Sequence, residues 1–167
     1  MPHRIAGLDL SIRATGLALP DGTLATITPT NEGDRRYPEI SDTLITNLDG
    51  VSLVILEDLP FGRNPAAGSL GMIHGVVRSD LIRASIDYLL VIPSTLKVYA
   101  TGRGTASKSD MRMSLYKRLG LDISDDNQVD AAWLRQLGLD IIGESDLDLP
   151  ASHRRALDRF LKERITR

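Results

Sequence analysis

The sequence contains no cysteine, which excludes a disulfide framework and a thiolate metal site and fits a reducing interior. No stretch reaches the roughly eighteen apolar residues of a membrane span, and the first residues lack the charged-then-apolar order of a secretory signal. A soluble, cytoplasmic protein with no membrane partner is therefore expected. Repeats and low-complexity segments are absent as well. What remains is ordinary for a globular chain: 42% apolar and 25% charged residues over 167 positions, enough for one domain with a full core. Residues 1–167 read as a single unit that closes with a basic helix over about 151–166.

A large net charge is also missing, and the value of −2 by itself argues against a nucleic-acid partner. The distribution is far from even. Residues 1–59 carry 4 basic and 9 acidic groups, 60–120 carry 9 and 3, 121–150 carry 1 and 8, and 151–167 carry 6 and 2. A basic middle with acids held elsewhere suits a polyanion on one surface and a metal on another.

"RIAGLDLS" and "TGLALPDGTLATIT" read as three strands of an antiparallel meander, with a tight turn at Asp21-Gly22. Ile40, Leu44, Ile45 and Leu48 have helical spacing, and "GVSLVILED" is a strand buried on both faces, hence parallel to a neighbour. "AAGSLGMIHGVVRSDLIRASI" is a long amphipathic helix. Its Gly71 and Gly75 lie one turn apart and are expected to let another element pack close. "YLLVIP" is a short strand stopped by Pro93. Helices follow at "SKSDMRMSLYKRLG", with Ser107 or Ser109 as N-cap and Gly120 as C-cap, and at "NQVDAAWLRQLG", ending at Gly138. The order of three strands, helix, strand, helix, strand and further helices implies an α/β fold with a mixed sheet flanked by helices.

Within "IAGLDLSIRATGLAL" the aspartate is unexpected, because a buried carboxylate is costly without a partner. Asp9 follows five strand residues and Glu57 ends "SLVIL"; both stand near carboxyl ends of strands, where open α/β sheets bind ligands. On adjacent parallel strands the two would repel and raise a pKa unless a cation lay between them. Mg²⁺, which takes oxygen ligands from one or two carboxylates plus phosphate and water, answers that requirement. A third acid is expected from "DISDDNQVDAAWL", where Asp126 and Asp130 share a helix face. Asp130 is preferred, because Ala131, Ala132 and Trp133 mark an inward turn, while Asp126 suits an N-cap equally well.

Other patterns fail on required residues. "GRGTASKS" resembles a phosphate loop but has Ser107 where glycine must precede the lysine. The acidic run has Asn127 for the central glycine of a calcium loop and Trp133 for its terminal Glu. His74 reads as packing or surface, and Trp133 as core.

"GLDLSIRATGLAL", "VILEDLPFGRNPAAGSLGMIHGVV", "PSTLKVYATGRGTASKSDM" and "DDNQVDAAWL", in this order and spacing, resemble the successive blocks of RuvC-type Holliday junction resolvases of the RNase H-like superfamily. The resemblance runs from Ile5 to about Leu134. It implies a mixed five-stranded sheet, a homodimer, catalytic acids at Asp9, Glu57 and Asp130, and DNA-contacting lysines at Lys97 and Lys108. The expected activity is metal-dependent hydrolysis of branched DNA by paired symmetric nicks, leaving 5′-phosphate and 3′-hydroxyl ends. Two Mg²⁺ ions per site are expected, with Mn²⁺ as a substitute: one between Asp9 and Asp130 to activate water, one between Asp9 and Glu57 at the leaving oxygen. Lys108 is expected to act on the scissile phosphate, with Lys97, Arg103, Arg112 and Arg63 on the backbone. The family's last block carries Asp or His three residues before the final Asp; Asn127 stands there, so a fourth ligand lies between Asp126 and Asn127. The aromatic that wedges the junction corresponds to Phe61, one position displaced, or Phe61 folds onto the core. The compact form and altered last block fit a phage-encoded version. A broader branched-DNA nuclease and a catalytically weak junction-binding protein are the alternatives.

Overall fold

A computed structural model describes residues 4–59, 67–158 and 160. Strands β1 (Ile5–Asp9), β2 (Thr15–Ala18) and β3 (Leu24–Ile27) form the antiparallel meander, while β4 (Leu53–Glu57) and β5 (Asp87–Val91) continue the sheet in parallel beyond β1. The sheet order is β3-β2-β1-β4-β5. Between Leu19 and Thr23 the hairpin closes as expected, with the Thr23 N–H donating to Asp21 Oδ1 at 2.9 Å. The apolar run of β4 is explained by its position between two parallel neighbours with helices on both faces.

Alternation along the strands divides the core in two. Ala6, Leu8, Leu17, Val54 and Leu56 face α1 (Arg36–Asn47) and α2 (Ala67–Arg83), whose Ile40, Leu44, Ile73, Val77 and Leu81 are fully buried. Ile5, Ile55 and Val91 face α3 (Pro93–Thr101), α4 (Lys108–Leu119), α5 (Asp126–Ile142) and the short α6 (Ala151–Arg154). Trp133 lies at the centre of this second layer, edge-on to Tyr99 at 5.8 Å and donating from Nε1 to Met111 O at 3.2 Å. His74 is buried, as a packing residue would be.

Helix α5 lies directly on the sheet because three glycines remove the intervening side chains. A Cβ on Gly7 would stand 2.1 Å from Ala131 O, one on Gly16 2.0 Å from Asn127 O, and one on Gly138 2.5 Å from Ile55 Cγ1. Gly138 is therefore a contact residue inside the helix and does not end it. The helix runs on to Ile142 and is capped by Gly143, at φ +81°.

Further sequence expectations are corrected. Pro93 does more than stop β5: it opens α3, since proline in a first helical turn forfeits no hydrogen bond. Ser107, not Ser109, caps α4 and forms a reciprocal capping box with Asp110. Asp125, not Asp126, is the N-cap of α5. Apart from the helix's own backbone and adjacent residues, no atom of the described residues lies within 4 Å of a Cβ built on Gly71 or Gly75, so the element expected to pack there is not among them. Of the closing basic helix expected over about 151–166, Ala151–Arg154 is helical and residues 155–157 turn; residues 159 and 161–166 lie outside the described residues.

Replacing Gly7 by Ala should destabilise the protein by about 1–3 kcal/mol or more, since backbone on α5 must move. Gly71→Ala, whose added methyl meets nothing among the described residues of the same chain, should instead be neutral or stabilising by up to roughly 1 kcal/mol for the folding of the single chain. Urea denaturation of both variants checks the contrast; equal effects would refute the seating role of Gly7.

Candidate active site

Strands β1 and β4 run side by side with Leu8 opposite Leu56, so Asp9 and Glu57 end neighbouring strands. Two residues before each, Gly7 and Ile55 lie under α5, and the period of two places both carboxylates on that same face. Asp130 arrives from α5, between Asn127 above Gly16 and Ala131 above Gly7. Elements far apart in sequence thus deliver the three expected acids to one place.

Their electrostatics show how crowded that place is. Burial is the main reason the Asp9 carboxyl is raised above its usual range, and a hydrogen bond from Glu57 and the charge of Lys108 partly offset it. Glu57 is raised by burial, then by the negative charges of Asp9 and Asp130, with Lys97 opposing. Asp9 and Glu57 are hydrogen-bonded to each other. Asp130 is pushed up to about 7 by burial and by Asp9, against Lys108 and Lys97.

Lys108 begins α4, where its exposed Nζ lies 3.0 Å from Asp126 Oδ2. That hydrogen bond is the main reason its pKa is raised, and Asp130 and Asp9 add to it. Asp126 is thus the partner of a lysine at the rim. Asn127 is also engaged, its side-chain amide donating to Asp125 Oδ1 at 3.0 Å. Among the expected DNA contacts, Arg103 pairs with Asp110 at 3.3 Å and Arg112 with Asp122 at 2.8 Å, both partly exposed. Phe61 and Arg63 lie outside the described residues.

One residue of consequence was missed in the sequence. Asp125 caps α5 through the Asn127 N–H at 2.9 Å and accepts from Thr26 Oγ1 of β3 at 2.5 Å, while Gln128 Nε2 donates to the same hydroxyl at 3.0 Å. The Thr26 bond, followed by those from Asn127, holds the Asp125 pKa below its usual range. Asp125 followed three residues later by Gln128 is a recognisable cap signature; the partner on β3 has no local signal.

Among the described residues, no group of three or more acidic or histidine side chains stands close enough together to hold a metal ion. The donor set nevertheless fits a hard divalent cation. It consists of carboxyl oxygens on a partly desolvated surface, with the Asp9 and Glu57 carboxyls side by side at neighbouring strand ends.

The fold is RNase H-like, with a mixed five-stranded sheet between helical layers. Two solved structures are similar to it. Thermus thermophilus RuvC matches with a TM-score of 0.66 and 21% identity over 87% of this chain and 99% of that one. T. thermophilus RuvC in complex with Holliday junction substrate matches with a TM-score of 0.68 and 20% identity over 88% and 100%. No protein-family profile and no curated protein sequence matches the chain. Neither likeness supports a phage origin. No helix among the described residues is long and apolar enough to cross a membrane.

The raised carboxyl of Asp130 sets a pH dependence. Because the folded pKa lies above the ordinary 3.8, the folded state retains a proton that the unfolded state releases. Stability contributed this way is full at acid pH and falls as pH rises towards about 7. In chelator, Asp130→Asn should therefore melt higher than the parent at about pH 8 and close to it near pH 4. A difference that does not grow with pH would contradict this origin of the shift. Asp125→Ala should lower stability by about 1 kcal/mol, as loss of a cap does, measurable in the same melts; no loss would show that the Thr26 bond contributes nothing.

Proposed function

We propose that the chain is a divalent-metal-dependent, structure-selective endonuclease that resolves four-way DNA junctions. The carrying observation is the convergence of Asp9, Glu57 and Asp130, with Lys108 at the rim, in a fold shared with RuvC, which is known in complex with Holliday junction substrate.

Asp9, Glu57 and Asp130 would hold the cations, Mg²⁺ or Mn²⁺. Bound there, they supply an activated water and charge stabilisation at the leaving 3′ oxygen. Lys108 leaves Asp126 for the scissile phosphate, where its ammonium offsets charge that grows in the transition state. Lys97, between Glu57 and Asp130 electrostatically, orients the strand from the other side. The products are 5′-phosphate and 3′-hydroxyl ends.

A C₂ dimer presents two sites to the two opposed strands of a junction. The surface we assign to it is α2, where Gly71 and Gly75 face open space beside exposed Met72 and Ile82. Small residues there let a second helix approach closely.

End-labelled four-way junctions in Mg²⁺ should be nicked symmetrically in pairs, with flaps, forks and duplex cut more slowly. Asp130→Asn should bind the junction as well as the parent does and lose at least about 10²-fold in cutting. Faster cutting of flaps or forks would make the protein a general branch nuclease. Tight binding without metal-dependent cutting would make it a junction-binding protein, and unimpaired cutting by the variant would remove Asp130 from the site.

A further inference from the structure

Residues 93–120 carry six Lys or Arg and one acid, Asp110. Lys97 and Lys108 belong to the rim of the acid cluster, and Arg112 is turned to Asp122. The others open onto a groove of about 420 Å³ between α4 and α6, whose lining includes Arg103, Asp110, Ser114, Lys117, Arg118 and His153.

Two features distinguish this groove from scattered surface charge. Among the described residues, Lys117, Arg118 and Arg155 have no carboxylate partner, and the one acid of the lining, Asp110, is already held by Ser107 and Arg103. The floor is also built. His153 is 6% exposed, and its Nδ1 must donate to Tyr99 O at 2.8 Å, because a carbonyl only accepts. Nε2 is then an acceptor for Arg118 Nη2 at 3.4 Å. A neutral imidazole thus orients the guanidinium without cancelling its charge. Beside it, Arg155 donates to Gly102 O at 2.9 Å and fastens the chain after α6 to the lip of the groove.

The groove starts close to the acid cluster. Thr101 lies one turn beyond Lys97 on α3 and donates to its carbonyl at 2.8 Å, and Asp110 follows Lys108 by two residues. From there α4 extends for 12 residues, about 18 Å, a length that spans about five phosphates of one strand. We propose that this groove is a second phosphate-binding track, in which Lys117 and Arg118 hold the backbone of a junction arm leaving the cleavage site. The proposal rests on the junction-nuclease reading and extends it to where an arm lies.

The test is junction binding by the full-length protein in chelator, so that no cutting occurs, across a range of salt. Each lost phosphate contact should lower the slope of log affinity against log salt by about 0.9. Lys117→Ala should lower it by about that much and weaken binding several-fold at about 150 mM salt; Lys117→Ala with Arg118→Ala should double the change in slope, and Lys117→Arg should restore it. Lys117 has no partner among the described residues, so the single variant remains informative if loss of Arg118 disturbs the floor, which melting curves detect. Parent-like affinity and slope in the variants, with a parent that binds and cuts junctions, would overturn the track alone. A parent that binds no branched DNA would overturn the nuclease reading and the track together.

Discussion

The contact on which the rest depends is the seating of α5 on β1 and β2 through Gly7, Gly16 and Gly138. With side chains at these positions a helix would ride higher on the sheet, as helices ordinarily do, and Asp130 would stand away from Asp9. Here the helix backbone comes so near that a methyl group on Gly7 would overlap the carbonyl of Ala131. Position along the helix is set as well, by Asp125 held on Thr26 from the neighbouring β3. The glycines determine how deep the helix lies, and the cap determines where it begins.

That geometry places acids against one another, and local electrostatics oppose it. Burial raises Asp9, Glu57 and Asp130, repulsion from Asp9 adds to it at the other two, and Lys97 and Lys108 oppose it. Desolvated like charges are tolerated where the surrounding packing is strong enough to hold them, and such places are often functional. The two layers on either side of the sheet, with Trp133, Tyr99, Leu8 and Leu56 fully buried, provide that strength. The lysines come from α3 and α4, on the same side of the sheet as α5, so cationic and anionic halves of the candidate site share one face.

Much of the architecture was legible because it rests on local patterns. Strand alternation, the apolar run of β4, the hairpin at Asp21-Gly22 and the spacing of α1, α2 and α4 each follow from residues close in sequence. The helix α3 was hidden because Pro93 ends one element and begins another, and proline is suited to both. Gly138 was read as a terminator for a similar reason: a glycine in a helix has the same sequence appearance whether it frees the backbone or makes room for Ile55 and Ile5. Gly71 and Gly75 make room for another element by their spacing, and among the described residues of this chain none comes near them.

Periodicity and capping act over a few residues, and so the order of the elements, the apolar faces, and the three acids at strand ends and on an inward helix face can be read from short stretches of the chain. The packed layers settle the rest: Asp125 is the cap tied to β3, Asp126 belongs to Lys108, and Arg118 rests on a neutral His153. Each of these joins residues brought together from separate elements, 99 positions apart for Thr26 and Asp125 and 35 for Arg118 and His153. Such pairings depend on how closely the layers pack, a property of the assembled sheet and helices that no short stretch of residues carries.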